Sequence, residues 1–157
     1  MKDFLLIGNK NCIAHKDFFK MMMDRRVNIG YTRPGDFDQP DGTPLKTLQG
    51  LTRWFTTLSV DDKPSLTLTA TYIPEKYPKY DNYVAINVNR VQDIPYDYEG
   101  VMGVPITIFD HNLPGYVYDG CLYGDHTIID GKYIKGHTPI VDGKHLYTRI
   151  LIRRKQL

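Results

Sequence analysis

YPKYDNYVAINVNRVQDIPYDYEGVMGVPITIFD, residues 77–110, sets one short apolar run, Val84–Val88, among five tyrosines and the turn Gly100-Val-Met-Gly-Val-Pro105. Closely spaced turn residues on both sides of a β-branched run predict an ordered, loop-rich segment around a strand. Downstream, Ile106–His111 reads as a short helix or a strand, and Val117–Leu122 as a strand. Two Asp-Gly pairs follow twelve residues apart, in Ile129-Asp-Gly-Lys132 and Val141-Asp-Gly-Lys144. Asp-Gly between apolar residues is the strongest short hairpin signal, because both turn positions need positive φ. Leu146–Arg153 alternates: Leu146, Thr148, Ile150 and Ile152 face one way, Tyr147, Arg149, Leu151 and Arg153 the other.

Upstream, Phe4–Gly8 (FLLIG) is apolar without alternation, as expected of a strand covered on both faces. Asn11 is placed to cap a helix over Cys12–Arg26, with Ala14, Phe18 and Met22 on one face and Arg25 and Arg26 at its negative end. Val27–Tyr31, Arg53–Leu58 and the alternating Leu66–Tyr72 read as strands, and Thr32–Gln49 as an exposed excursion. The expected class is α+β, strand-rich, with one clear helix.

The chain has 157 residues, 41% apolar and 24% charged, which fits one compact globular unit. Its net charge of +2 permits nucleic-acid binding without arguing for it. No apolar run approaches the roughly 18 residues of a membrane span, and the N-terminus does not read as a secretion signal. Cys12 and Cys121 make no disulfide framework. The cytoplasm is the expected location.

Several constellations resolve into plain structure. Asp36-Phe-Asp38-Gln-Pro-Asp41-Gly42 fails as a calcium loop, with Asp41 where glycine is needed and Thr47 at the closing acidic position. The five histidines have no zinc spacing, and Gly100–Gly103 lacks the rest of a phosphate loop. Cys12 reads as a buried small residue at a helix start. Three groups stay open. Asn9-Lys10-Asn11 either caps the helix or meets a ligand at a strand's C-terminal end. Arg53-Trp54 is either a core tryptophan with a surface arginine or a cation and a ring for nucleic acid. Tyr147, Arg149 and Arg153 form either a solvated strand face or a phosphate-binding one.

YPKYDNYxAINV, DIPYDYxGVMGVPIT and RILIRR, with GNKN at Gly8–Asn11 and RWFT at Arg53–Thr56, resemble the C-terminal half of EcoRI-type adenine-specific DNA methyltransferases over Phe4–Lys155. That resemblance implies a Rossmann-like methyltransferase sheet, with Phe4–Gly8 as its fifth strand and Val27–Tyr31 and Arg53–Leu58 as its closing antiparallel pair. It implies a sheet region over residues 1–73 and a target-recognition extension over 74–157, packed as one unit. It also implies methyl transfer from S-adenosylmethionine to N6 of adenine in double-stranded DNA.

The family's cofactor loop and its Asn-Pro-Pro-Phe motif lie upstream of the matching region, and no Asn-Pro-Pro occurs here. The expectation is a truncated, DNA-facing part of a restriction-modification enzyme, inactive alone, with no cofactor or catalytic residue of its own. The nucleic-acid contacts expected are Asn9, Lys10, Asn11, Arg53, Trp54, Tyr147, Arg149 and Arg153. A separate catalytic half or a second copy would cover the Phe4–Gly8 strand. The alternative is a free-standing DNA- or protein-binding module.

Overall fold

A computed structural model describes residues 2–45, 50–60, 63–124, 126–129, 132–135 and 138–155. Backbone packing divides the chain into two units, Met1–Lys63 and Pro64–Leu157. The fold is α+β, with few helices and mixed sheets.

In the first unit β1 is Leu5–Asn9, α1 is Lys16–Met23, β2 is Asn28–Ile29 and β3 is Thr52–Thr56. β3 lies between the other two strands and is antiparallel to both, so β1 and β2 run parallel with α1 in the crossover. Leu6 and Ile29 flank Phe55 in register. The Phe18 ring meets Phe55 edge-on at 4.9 Å. A side chain at Gly8 would stand 2.9 Å from the Phe55 ring, so the glycine makes room for it. Ile13, Ala14, Phe19, Met22, Val27 and Ile29 complete this core.

The helix differs from expectation at its start, and Cys12 is exposed rather than buried because it lies in the turn before the helix. Asn9 Oδ1 accepts from Asn11 N at 2.9 Å and begins a 3₁₀ turn over Lys10–Ala14; α1 opens only at Lys16. One asparagine therefore spends the capping signal on a tighter turn. The helix ends with Arg25 at φ 55° and with Arg26 N bonded to Met21 O, a left-handed stop made without glycine.

β1 also differs. It is the edge of its sheet, and Leu5, Leu6 and Ile7 are 60, 46 and 40% exposed. Among the described residues the cover expected on both faces of this apolar strand is therefore incomplete. The 32–45 excursion holds turn chemistry at Asp41, whose Oδ1 accepts from Thr43 N and Oγ1. Thr47 lies outside the described residues.

In the second unit β4 is Ile86–Asn87, β5 Met102–Pro105, β6 Tyr116–Tyr123, β7 His126–Ile129, β8 Lys132–Lys135, β9 Ile140–Val141, β10 Lys144–His145 and β11 Arg149–Arg154. Six of them form one sheet in the order β4-β5-β11-β6-β7-β8, parallel only between β4 and β5. Ile106–Asp110 is a 3₁₀ turn. Leu66–Tyr72 forms no ladder. It meets the rest of the unit at the isolated bridge Ala70–Pro95, where Tyr96 N donates to Ala70 O at 3.0 Å, and Tyr72 N donates to the Asp97 carboxylate at 2.7 Å instead of continuing the pairing.

The β9–β10 hairpin turns at Asp142 and Gly143, both at positive φ (49° and 71°), as Asp-Gly predicts. The other Asp-Gly pair, residues 130–131, lies outside the described residues. β11 departs most from its reading. It is an inner strand flanked by β5 and β6, and Ile150, Leu151 and Ile152 are all buried. Both of its faces are covered, so alternation along it does not separate core from solvent. No helix among the described residues is long and apolar enough to cross a membrane.

Candidate nucleic-acid interface

The register of β1 on β3 brings the first group of candidate residues together. Asn9 pairs with Thr52 and Gly8 with Arg53, and Lys10 N donates to Leu51 O at 2.7 Å. Asn9 and Asn11 are exposed and Lys10 is half-buried. Arg53 is buried, and its Nη1 donates to Thr52 O at 2.8 Å. Trp54 is half-buried, with Gly30 packed against its Cβ and donating to its carbonyl at 3.0 Å. The corner therefore offers solvent two amides and an ammonium, over a buried guanidinium that shapes the backbone.

The second group lies in the other unit. Tyr147, just before β11, is 92% exposed. Arg149, two residues on, is only 8% exposed, so the solvated-face reading fails at this residue. Its Nε donates to Asn87 Oδ1 at 3.0 Å, and its Nη1 donates to Tyr147 O at 3.0 Å and Thr148 O at 3.3 Å. Arg153 Nε donates to Asp119 Oδ2 at 2.6 Å, an ion pair that leaves the arginine half-exposed.

Sequence reasoning missed the network behind Arg149. Tyr80 Oη donates to Asn87 Oδ1 at 2.9 Å and also approaches Gly103 O at 3.3 Å; Asn87 Nδ2 donates to Asn89 Oδ1 at 2.9 Å. An asparagine inside an apolar run, as in Val84–Val88, was the available signal, since a polar residue at a covered position calls for partners. Burial lowers the Arg149 pKa from its ordinary value, opposed by the adjacent Tyr80. Asp81 is a second unforeseen anchor: its carboxylate accepts from Asp142 N at 3.2 Å and Gly143 N at 2.8 Å, fixing the β9–β10 turn.

Burial pushes the Tyr118 phenol up to about 12 and drives Tyr80 well above its ordinary value against the pull of Arg149. An unfolded tyrosine ionises near 10, so above that pH the unfolded chain holds fewer protons than the native one. The stabilisation is whole below about pH 10 and disappears as pH rises through about 12. We expect the urea midpoint to fall over that window and Tyr118→Phe to flatten the fall. Equal slopes for wild type and variant would show that the phenol is not buried.

These groups offer hydrogen bonds, cations and a ring. The candidate residues include no nucleophile with a base beside it. Residues 1–155 match the family described as "Adenine-specific methyltransferase EcoRI". The chain is 35% identical to Type II methyltransferase M.EcoRI of Escherichia coli, covering 99% of this chain and 51% of the relative. It is 27% identical to M.MpnI of Mycoplasma pneumoniae and 26% identical to M.MgeORF184P of Mycoplasma genitalium, covering 57% and 58% of those relatives. The chain thus spans about half the length of the curated relatives it matches. No solved structure matches it.

Proposed function

The chain belongs to the EcoRI adenine-specific methyltransferase family, and on that premise we propose that it is the DNA-facing part of an adenine-N6 methyltransferase of a restriction-modification type. The observation that carries the proposal is the family match over residues 1–155 by a chain half the length of its relatives. β1 supports it: an edge strand, apolar and exposed on both faces, suits a sheet that continues beyond this chain. On this reading β1, α1, β2 and β3 are the closing part of a Rossmann-like sheet, followed by a target-recognition extension. The partner that covers β1 is a catalytic half or a second copy.

S-adenosylmethionine is the cofactor the family implies, and these residues do not fit it. Sheets of this type hold a ribose with an acid near a strand end. The C-terminal ends of β1 and β2 carry Asn9-Lys10-Asn11 and Gly30, with no carboxylate among them. No methyl-transfer step is assigned to this chain. Its role is to contact double-stranded DNA in the cytoplasm through Asn9, Lys10, Asn11, Tyr147 and Arg153, while Arg53, Trp54 and Arg149 hold those contacts in place.

Two measurements test this. Calorimetry with S-adenosylmethionine is expected to show no saturable heat; a micromolar Kd, roughly −8 kcal/mol, would overturn the inactive-alone reading. Anisotropy with duplex DNA at low salt is expected to give a Kd of about 10⁻⁴ to 10⁻⁶ M, weakening steeply as salt rises. A chain that binds no DNA even at low salt would remove the DNA-facing role.

A further inference from the structure

Asn87 is buried at the end of β4, and the groups around it fix which way its amide points. The Arg149 guanidinium carries hydrogens and no acceptor, so the atom its Nε meets at 3.0 Å must be Asn87 Oδ1. Tyr80 Oη donates to the same oxygen. Asn87 Nδ2 is therefore turned away from both, and it donates to Asn89 Oδ1 at 2.9 Å. That bond fixes Asn89 in turn, with its oxygen toward Asn87 and its NH2 left over. A side chain that can only donate thus sets the polarity of two amides in succession.

Asn89 is exposed, and among the described residues its Nδ2 makes no hydrogen bond. An amide oxygen accepts twice and an amide nitrogen donates twice, so Asn89 keeps one lone pair beside two hydrogens. A donor next to an acceptor on one planar group complements the N7 and N6–H edge of adenine. The backbone on either side is held: Val88 N donates to Gly103 O at 2.9 Å, and Asp93 N to Arg90 O at 3.0 Å. A side chain oriented in advance loses little freedom on binding, which suits a contact that selects. The charge nearby suits a polyanion. Lys79 is bridged to Ile86 and Arg90 follows Asn89; both are exposed, and neither is ion-paired among the described residues. Two neighbouring acids are engaged, Asp93 with Lys76 and Asp81 with the N–H groups of Asp142 and Gly143.

We propose that Asn89 reads an adenine within an intact base pair, from the major groove of duplex DNA, with Asn87 and Arg149 as its positioning residues. This rests on the DNA-facing reading above and deepens it by naming a base contact. Phosphate contacts place a protein on DNA, whereas contacts to base edges supply sequence. Asn89 is tied to the expected contact Tyr147 through one chain of bonds, since Arg149 donates both to Asn87 and to the Tyr147 carbonyl. The buried guanidinium does not touch DNA. It decides which end of the outer amide is free to do so.

The test selects duplexes with a randomised centre on wild type, Asn89→Ala, Asn89→Asp and Asn87→Asp, then measures affinity for the enriched duplex by anisotropy. Wild type is expected to enrich adenine at one position, and 7-deazaadenine there to weaken binding about tenfold. Asn89→Ala is expected to bind the natural duplex about tenfold more weakly and to lose nothing further with 7-deazaadenine. Asn89→Asp still accepts from Asn87 Nδ2 but has no outer hydrogens, so the enriched base is expected to shift to cytosine, whose N4 donates. Asn87→Asp keeps the bonds from Arg149 and Tyr80 but cannot donate. Asn89 then turns round, and adenine enrichment is expected to fall although Asn89 itself is intact.

Equal discrimination against 7-deazaadenine by wild type and Asn89→Ala would overturn the base contact while the DNA reading stands. Uniform weakening of Asn89→Ala on every sequence would make Asn89 a backbone contact and overturn it equally. Unchanged adenine enrichment in Asn87→Asp would overturn the relay. The two exposed Asn89 variants carry the test of the base contact even if Asn87→Asp fails to fold, which a thermal melt reveals. Wild type that binds DNA but enriches no base would remove the base contact alone, and wild type that binds no duplex would remove the DNA reading with it.

Discussion

Replacing Arg149 with alanine is expected to lower the stability of the Pro64–Leu157 unit by about 3 kcal/mol, because hydrogen bonds to charged groups contribute roughly 1.5–3 kcal/mol each. Two of its three bonds are short, to Asn87 Oδ1 and Tyr147 O at 3.0 Å; the third, to Thr148 O at 3.3 Å, is weaker. The total stays below their sum for two reasons. Asn87 Oδ1 keeps its bond from Tyr80, and the Tyr147 and Thr148 carbonyls can turn to water once the guanidinium is gone.

Arg149→Lys keeps the charge but not the fork, and is expected to cost about half as much. Urea unfolding of the three proteins, followed at the amides of Ile150, Leu151 and Ile152, reads the difference. A loss under about 1 kcal/mol for alanine would mean that the guanidinium exchanges freely with water. On the proposed DNA-facing reading Arg149 also links stability to contact, since it holds the backbone carbonyl of the exposed Tyr147.

β3 and the Asp142–Gly143 hairpin were legible in the sequence because local rules decide them: an apolar run, and a turn needing positive φ at two positions. Arg149 was not. Period two assigns a residue to a face, but what covers that face depends on neighbours far away in sequence. Asn87 is 62 residues from Arg149, and their meeting follows from placing β11 beside β5 while β4 pairs with β5 on its other side.

Leu66–Tyr72 failed for a related reason. Its alternation is genuine, but the next backbone donor, Tyr72 N, is taken by the Asp97 carboxylate, so the pairing stops at the single Ala70–Pro95 bridge. In the site, Asn9-Lys10-Asn11 and Arg53-Trp54 were each visible as short words. Their adjacency needed the Gly8–Arg53 register, which pattern alone does not supply. The family was legible because several uncommon words occur in order across the chain, and that signal depends on neither register nor burial.

Phe55→Ala is expected to unfold the Met1–Lys63 unit. Truncating a buried phenylalanine costs about 3–5 kcal/mol, which is most of what a unit of this size holds in reserve. Phe55 is fully buried, occupies the middle strand between Leu6 and Ile29, and meets Phe18 edge-on. The sheet has little else to fall back on. β2 pairs over only two residues, and among the described residues β1 leaves its outer edge unpaired, with Leu5, Leu6 and Ile7 exposed. Phe55→Leu keeps most of the volume and is expected to cost about 1–1.5 kcal/mol, leaving the unit folded. Hydrogen exchange at the amides of Leu5–Asn9 and Thr52–Thr56 separates the two variants: protection lost in alanine and largely kept in leucine. Wild-type protection in Phe55→Ala would show that something other than this ring holds β3 between its neighbours. If protection is lost, Asn9, Lys10 and Asn11 lose the strand end that presents them, and on the proposed DNA-facing reading the chain's DNA affinity is expected to fall in step with the unfolded fraction.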